Sequence, residues 1–377
     1  RCLSDWSSDV CSSDLAAKRA ISLLLSALMM VTLLTACGGG TASTGSASGS
    51  APAASGSGSA SSSKNLTVYT AFPESEVVYY FNKFEEETGI KVNYIRLSAG
   101  EMLTRVAAEK DNPQASLMFG GSTDNYIAAA DQGLLEPYQS PELSSTPKQY
   151  IDPDGNWNPL YVGVIAFACN KDWFKSKGYD YPTSWQDLLD AKYKGEVIMA
   201  HPSTSGTAYT VLATLVQLMG DDQVWNYLSK LNQNITQYTK SGAAAPNAVA
   251  LGEAAIALTF SHDGLQPTAE GYPIELSFPT DGTGYEIGAT ALIKNGPTDE
   301  QENAKKFIDW MCSVKGQNLY AENNSFRVPT NSQATVADGL VTLDKVKVID
   351  YDAVWAASVK SDYTAKFESA IATAPKE

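Results

Sequence analysis

Residues 195–207 read GEVIMAHPSTSGT, a pattern that indicates the class of fold. Residues 196–200 form a predicted strand, whose apolar residues 197–200 are typical of a buried strand. A loop rich in Pro, Ser, Thr and Gly follows, and a helical pattern then continues through Met219. A strand that leads through a short loop into a long helix is the repeating unit of an α/β fold. We therefore expect residues 195–219 to form one such unit.

The loop at the start of this helix is also a candidate binding site. Backbone N–H groups in the first turn have no partner within the helix. Together with the positive end of the helix dipole, they bind phosphate or carboxylate groups. Ordinary helix capping by Ser203 or Ser205 is the alternative explanation of the same residues. The candidate anion-binding residues are Ser203, Ser205, Gly206 and Thr207.

The same alternation of strands and helices extends in both directions along the chain. Predicted strands cover residues 66–69, 90–95, 115–119, 161–168, 254–260 and 287–293. Predicted helices cover residues 76–87, a segment that begins at 185–189, residues 301–311 and a segment after Asp352. Ser98 and Glu101 form a capping box for a further helix. This order predicts mainly parallel sheets with helices on their faces.

Composition and charge exclude several classes of protein. The chain has 377 residues, of which 44% are apolar, and its 42 acidic and 27 basic side chains give a net charge of −15. Phosphate-backbone binding needs clustered Lys and Arg, so this acidity argues against a nucleic-acid partner. With only His201 and His262, and no Gly-Lys pair, the chain has neither a His-Glu-x-x-His zinc helix nor a Walker A loop. We expect no cofactor and no metal ion.

The N-terminal 36 residues predict export. Residues 1–15, RCLSDWSSDVCSSDL, resemble translated sequencing-adapter sequence, and we expect them to be non-native, with a disordered extension as the alternative. Residues 16–36 contain Lys18 and Arg19, the apolar run ISLLLSALMMVTLL and then small residues. That order is typical of a secretory signal peptide. The apolar run itself is too short to form a membrane-spanning helix.

Cys37 is the expected point of attachment to a membrane. The sequence LTAC at 34–37 matches the bacterial lipobox, which predicts cleavage before Cys37 and lipidation of its sulfur. A plain signal peptide with an incidental cysteine is the alternative. Residues 37–63 then form a Gly/Ser/Ala-rich flexible linker. We expect a lipid-anchored protein on the extracytoplasmic face of a bacterial membrane, in the periplasm or at the cell surface.

Two further cysteines, Cys169 and Cys312, lie in the globular part of the chain. An exported protein is permitted to form a disulfide. Neither cysteine lies in a paired-cysteine spacing, so we expect two buried free thiols.

Other ends of predicted strands also carry polar residues. In open α/β sheets, ligands bind at the carboxyl ends of strands, near helix N-termini. Two carboxylates and an imidazole at such a place suit sugar hydroxyls or a cationic amine, because carboxylates accept charge-assisted hydrogen bonds. For these two carboxylates and the imidazole, the alternative explanation is an ordinary surface turn with a capping Asp. The candidate ligand-binding residues are Thr70, Ala71, Gly121, Ser122, His262, Asp263 and Glu286.

Five segments, in this order and spacing, resemble those of a known family: LTVYTA at 66–71, ASLMFGG at 115–121, VGVIAFACNKDWF at 162–174, PTSWQDLL at 182–189 and GEVIMAHPSTSGT. The family is that of the extracellular solute-binding proteins of ABC importers, in the type II branch that includes ferric-iron, phosphonate and sugar-phosphate binders. The resemblance covers residues 66–371. It implies a two-lobe α/β clamp, each lobe a mainly parallel sheet with flanking helices, with hinge strands between the lobes.

The resemblance also implies an organisation into lobes and a set of partners. We expect lobe 1 to contain residues 64–165 and 262–340 and lobe 2 to contain residues 166–261, with a C-terminal helical segment at 341–377 of uncertain lobe. The expected partners are a small anionic solute, an ABC permease and its ATPase subunit. We expect a monomer that is not an enzyme.

The ligand stays open among several classes. The pair His262-Asp263 with the later Glu286 is similar to residues that grip hydroxyls in sugar-phosphate binders, so a phosphorylated or phosphonate solute is the expected ligand. Iron fits less well, because relatives that bind iron use a histidine after the first strand and adjacent tyrosines near 262. Tyr79-Tyr80 is such a pair but lies in a predicted helix, where core packing or surface exposure is expected. Polyamine binding, ligand sensing without transport and enzymatic activity also stay open.

Overall fold

A computed structural model describes residues 63–373 of the chain. The predicted adapter sequence at 1–15, the signal peptide at 16–36, the lipidation site Cys37 and all but the last residue of the linker lie outside the described residues. Within the described part, the structure contains no helix with the length and apolar character needed to cross a membrane.

The strands of the described part form one mixed sheet. They are β1 Asn65–Thr70, β2 Lys91–Arg96, β3 Leu117–Ser122, β4 Leu135–Glu136, β5 Asn158–Asn170, β6 Val197–Ala200, β7 Ile235–Thr239, β8 Ile256–Phe260, β9 Ile274–Ser277, β10 Tyr285–Ile293 and β11 Val328–Pro329.

Helices cover the faces of this sheet. They are α1 Glu74–Thr88, α2 Ala99–Ala108, α3 Thr123–Asp131, α4 Lys171–Lys177, α5 Gly206–Met219, α6 Asp221–Asn234, α7 Ala244–Ala250, α8 Ser261–Ala269, α9 Gln301–Cys312, α10 Val314–Glu322 and α11 Ala353–Phe367. The capping box predicted for Ser98 and Glu101 is present at the start of α2, where Ser98 N donates to Glu101 Oε2 at 3.1 Å.

The strand order β2-β1-β3-β10-β5-β8-β6-β7 divides the sheet into two halves around β5. The pairs that β1 forms with β2 and β3, and β6 forms with β7 and β8, are parallel. Between them, β10 and β5 run antiparallel to their neighbours. All thirteen residues of β5 are buried. Residues 158–164 of β5 pair with β10, and residues 165–169 pair with β8, so this one strand runs through both halves.

Each half of the sheet has its own hydrophobic core. In the first half, aromatic side chains such as Phe81, Phe119 and Phe307 pack among residues between 66 and 161 and between 292 and 320. In the second half, the buried side chains come from residues 165–260 and from the C-terminal residues Ala356, Phe367 and Ile371. Cys169 and Cys312 lie in different cores as buried free thiols, which confirms that expectation.

Part of the predicted division into lobes differs from this packing. Residues 262–277 are expected in lobe 1, but β9 pairs with residues 167–170 of β5 and Ile274 packs in a core of the second half. The chain therefore returns to the first half only at β10. The C-terminal helix α11 touches both halves, because it packs on α3 and on α5.

One predicted helix is also replaced by shorter structure. The helix expected to begin at Trp185–Leu189 is a single 3-10 turn, Gln186–Leu189. Asp190 ends it in an extended conformation, and its side chain accepts a hydrogen bond from Lys192 N at 3.0 Å to start the next turn. The local capping preference of Asp thus interrupts the helical pattern.

Candidate functional site

A cleft opens where strands of both halves end and helices begin. Its lining includes residues that follow β1, end β3 and β8, or precede α5. Five helices of eight or more residues start at this cleft. Their N-cap residues, all in the lining, are Pro73, Ser98, Ser122, Ser205 and Phe260. Because the N-terminal end of each helix carries partial positive charge, this convergence favours a bound anion.

The start of α5 is built as the sequence predicts. Ser205 caps the helix by accepting a hydrogen bond from Ala208 N at 3.3 Å. The backbone N–H groups of Gly206 and Thr207, in the first turn, have no acceptor within the helix. A Cβ on Gly206 would lie 2.9 Å from Ser122 Oγ and 3.1 Å from Ala99 Cβ. The glycine thus lets the start of α5 approach the opposite wall closely.

The opposite wall is formed by the ends of β1 and β3. Ala71, Gly121 and Ser122 line the cleft there. Gly121 has a φ of 84°, a conformation that favours glycine. Thr70 is buried beneath this wall, where its Oγ1 accepts a hydrogen bond from Phe72 N at 3.2 Å. The structure therefore places Thr70 below the cleft and not in its lining.

His262, Asp263 and Glu286 lie together at the inner end of the cleft, and all three are buried. His262 Nε2 is 3.7 Å from Asp263 Oδ1 and 3.7 Å from Glu286 Oε1. A Cβ on Gly163 of β5 would lie 2.5 Å from His262 Cε1, so the missing side chain leaves room for the imidazole. The three residues that the sequence singled out thus form one cluster.

Burial changes the protonation of this cluster. It raises the pKa of Glu286 to about 8 and that of Asp263 to about 6, although the Arg327 charge opposes both shifts. Burial also lowers the pKa of His262 well below its ordinary value of 6.5. At neutral pH, Asp263 is therefore mainly a carboxylate that accepts hydrogen bonds, whereas Glu286 is mainly a carboxylic acid that can also donate one. Hydroxyl groups, which both donate and accept, are complementary to this pair.

Two arginines in the lining, Arg96 and Arg327, were missed by the sequence reasoning. Arg327 is 3% exposed and binds Glu76 through two hydrogen bonds of 2.8 and 2.9 Å. Its guanidinium lies between the rings of Phe72 and Tyr161, 4.5 and 4.4 Å from their centroids. Its Nη2 is 3.8 Å from Asp263 Oδ1. The positive charge of the arginine therefore lies next to the carboxylate cluster, within ion-pair distance of Asp263.

Most of the predicted residues come together in this cleft, and two do not. The predicted residues in the lining are Ala71, Gly121, Ser122, Ser205, Gly206, Thr207, His262, Asp263 and Glu286. Ser203, like Thr70, lies outside the lining; its hydroxyl instead contacts His201 Nδ1 at 2.7 Å. The scarcity of arginine, with only five in the chain, was one signal that could have drawn attention to Arg327.

Residues 122–355 match the family of bacterial extracellular solute-binding proteins, and the chain belongs to that family. This confirms the predicted family and the two-lobe α/β fold.

Individual relatives add to the family match. A protein of Haemophilus influenzae is 38% identical over 275 residues, which cover 71% of this chain and 79% of that protein. A putative 2-aminoethylphosphonate-binding periplasmic protein of Salmonella typhimurium is 27% identical over 267 residues, covering 68% of this chain and 75% of that protein.

Among solved structures, the periplasmic binding protein AfuA from Actinobacillus pleuropneumoniae, with fructose-6-phosphate bound, is similar to this chain. It is 34% identical, with a TM-score of 0.80, and the match covers 83% of this chain and 100% of that one. A ferric binding protein from Campylobacter jejuni, 24% identical with a TM-score of 0.68 over 81% of this chain and 99% of that one, shares the fold.

Proposed function

We propose that this protein captures a small phosphorylated or phosphonate solute between its two halves and delivers it to an ABC permease. The observation that carries the proposal is the cleft itself. Five helix N-termini face it from several sides, and a buried carboxyl pair with an imidazole lies at its inner end. The anionic group of the solute binds at the start of α5, and its hydroxyl groups bind Asp263, Glu286 and His262. The similarity to a structure that holds fructose-6-phosphate supports this assignment.

Contacts across the cleft support capture by closure of the two halves. Gly100 N at the start of α2 donates a hydrogen bond to Thr204 O at 3.1 Å, in the loop before α5. Lys240 Nζ lies 2.6 Å from Glu101 Oε1, between the same two walls. A solute that contacts both walls favours this closed arrangement through its higher affinity for it. Recognition then requires no covalent chemistry.

The membrane anchor and the partners belong to the same proposal. Lipidation of Cys37, which lies outside the described residues, would hold the binding domain near a permease and its ATPase subunit. We propose that the protein acts as a monomer, because one chain supplies both walls of the cleft. Ligand sensing without transport would use the same closure.

The structure gives less support to the ferric-iron alternative. Tyr80 is buried in the core of the first half, where its hydroxyl donates to Glu76 at 3.0 Å, and Tyr79 contacts Glu322. Tyr161 lines the cleft, but its ring lies against Arg327, a cation that would repel Fe(III). The carboxyl groups of Asp263 and Glu286 still support the polyamine alternative, because they suit a cationic amine.

Isothermal titration of the purified protein with hexose phosphates, 2-aminoethylphosphonate, spermidine and Fe(III)-citrate tests the proposal. We expect saturable binding of a phosphorylated or phosphonate compound. Asp263→Asn should weaken hexose-phosphate binding by about ten- to a hundredfold, because it replaces the acceptor of charge-assisted hydrogen bonds. The exposed Glu253→Gln is the matched control. Binding of iron or spermidine without any response to phosphates or phosphonates would overturn the proposal.

A further inference from the structure

A second, smaller cavity lies next to the ligand cleft. Ser122 and Glu286 line both cavities, so the two share a wall. Beyond that wall, the smaller cavity is lined by Asp124 of α3, Thr210 of α5 and Tyr351, which precedes the C-terminal helix α11. The cavity therefore lies where three elements distant in sequence meet.

Two polar atoms at this cavity lack a hydrogen-bond partner among the described residues. Asp124 is 2% exposed, and its Oδ2 binds Lys360 Nζ, whereas its Oδ1 has no partner. The hydroxyl of Tyr351 is also buried, and its contact with the Thr210 side chain falls outside hydrogen-bonding geometry. Leaving a buried polar atom unsatisfied costs about 1–3 kcal/mol, so two such atoms on the lining of one cavity call for an occupant.

The chemistry of the lining defines what can satisfy these atoms. Asp124 Oδ1 can only accept hydrogen bonds. Thr210 Oγ1 already donates its proton to Gly206 O at 3.1 Å, so it offers lone pairs to the cavity. An occupant with several O–H or N–H donors is required. The space open to the centre of a water molecule is about 30 Å³, whereas one water needs about 10–15 Å³.

We propose that this cavity is a hydration site, in which one or two ordered water molecules bridge Asp124 Oδ1, the Tyr351 hydroxyl and the carboxyl group of Glu286. The water supports Glu286 on the side that faces away from the ligand. It also connects Glu286 to the Asp124–Lys360 ion pair, and through Lys360 to α11. The ligand cleft is thereby joined to a helix that packs on both halves of the protein. Only the effect on affinity rests on the proposed function.

The first test needs no ligand. A double-mutant cycle combines Tyr351→Phe with Glu286→Leu and measures the equilibrium constant of unfolding in urea. The structure records no hydrogen bond between these two side chains, only a minor electrostatic interaction, so a coupling larger than that interaction reports the bridge. We expect the two effects to be non-additive by a factor of about 3 to 10. The control cycle combines Glu286→Leu with Tyr193→Phe, a change in the core of the second half. The effects of these two substitutions on the unfolding constant should be additive within about twofold.

The second test is a high-resolution crystal structure of the unsubstituted protein, which does not depend on any variant folding. We expect density for at least one water within about 3.2 Å of both Asp124 Oδ1 and the Tyr351 hydroxyl. The same water should be absent from the Tyr351→Phe structure. A dry cavity, or an additive cycle, would overturn the hydration site. If the bridge is present, Tyr351→Phe should also weaken binding of whichever solute the titration identifies by about threefold or more.

Discussion

The imidazole of His201 holds the backbone of Ser203, because His201 Nδ1 accepts a hydrogen bond from Ser203 N at 3.2 Å and lies 2.7 Å from Ser203 Oγ. A backbone N–H can only donate, so Nδ1 acts as the acceptor in this contact. The other nitrogen, Nε2, lies 2.8 Å from Glu368 Oε2. His201 thus fixes the turn that leads into α5, although its own side chain does not line the cleft.

Replacing this acceptor should loosen the turn and weaken ligand binding. We expect His201→Leu to raise the dissociation constant of the solute about fivefold, since a comparable side-chain cap contributes about 1 kcal/mol. His201→Asn should retain most of the affinity, because an Asn side chain can accept the same backbone hydrogen bond two residues on. Calorimetric titration of both variants checks this, and equal losses in both would contradict it.

Adding one methyl group at Gly206 should oppose closure. In Gly206→Ala, the new Cβ would lie within 2.9 Å of Ser122 Oγ across the cleft. Overpacking of this kind costs about 1–3 kcal/mol, so we expect affinity to fall about tenfold or more, with little change in the stability of the ligand-free protein.

Ala99→Gly provides a suppressor for this change. It removes the other close neighbour, Ala99 Cβ, which is 3.1 Å from the position that the new methyl carbon would occupy. The double variant should therefore recover part of the lost affinity. Titration and thermal unfolding of the two single variants and the double variant separate these effects. A loss of affinity that the second substitution does not reduce would argue against a steric cause.

The raised pKa values of Asp263 and Glu286 predict a pH dependence of stability. Burial raises their pKa values from 3.8 to about 6 and from 4.5 to about 8 in the folded protein. The folded state therefore binds more protons than the unfolded state, and the contribution to stability is fully present below about pH 4. It is lost as pH rises through about 6 and then about 8, and the lowered pKa of His262 offsets part of this loss as pH rises towards 6.5.

Urea unfolding at about pH 5 and about pH 8 measures this loss. The Gln side chain does not titrate, so the Glu286→Gln variant should lose much less stability between these two pH values than the unsubstituted protein does. The exposed Glu253→Gln should behave as the unsubstituted protein does. If all three proteins show the same change, Glu286 does not carry the pH dependence.

The buried ion pair between Arg327 and Glu76 should make Arg327→Met one of the most destabilising substitutions in the cleft. The change leaves the Glu76 carboxylate buried without its partner, which costs about 3–5 kcal/mol. Adding Glu76→Gln should recover part of this loss, because it removes the uncompensated charge. Chemical denaturation of the single and double variants provides the measurement, and a double variant that is no more stable than Arg327→Met would refute the explanation.

The sequence predicted the site where strand and helix alternate locally. Ser205, Gly206 and Thr207 follow an apolar run and precede a helical pattern, and the carboxyl ends of parallel strands share one edge of a sheet. Their meeting with Gly121 and Ser122 could therefore be expected. Arg327 lies just before the two-residue strand β11, which has no detectable period, and only the folded chain brings it to Phe72 and Tyr161. The role of His201 likewise depends on a side-chain direction that spacing alone does not specify.

The path of β5 has a consequence for the order of folding. The core of the first half needs residues before 161 and after 292, and every residue of the second-half sheet lies between them in the chain. A chain that is made from its N-terminus can thus pair the strands of the second-half sheet before β10 is available to β3, whereas the second core is completed only by the C-terminal residues Ala356, Phe367 and Ile371. Closing so long a loop slows assembly. During this time the edge of β3 stays unpaired, so a chaperone can bind it or it can pair with other chains and aggregate.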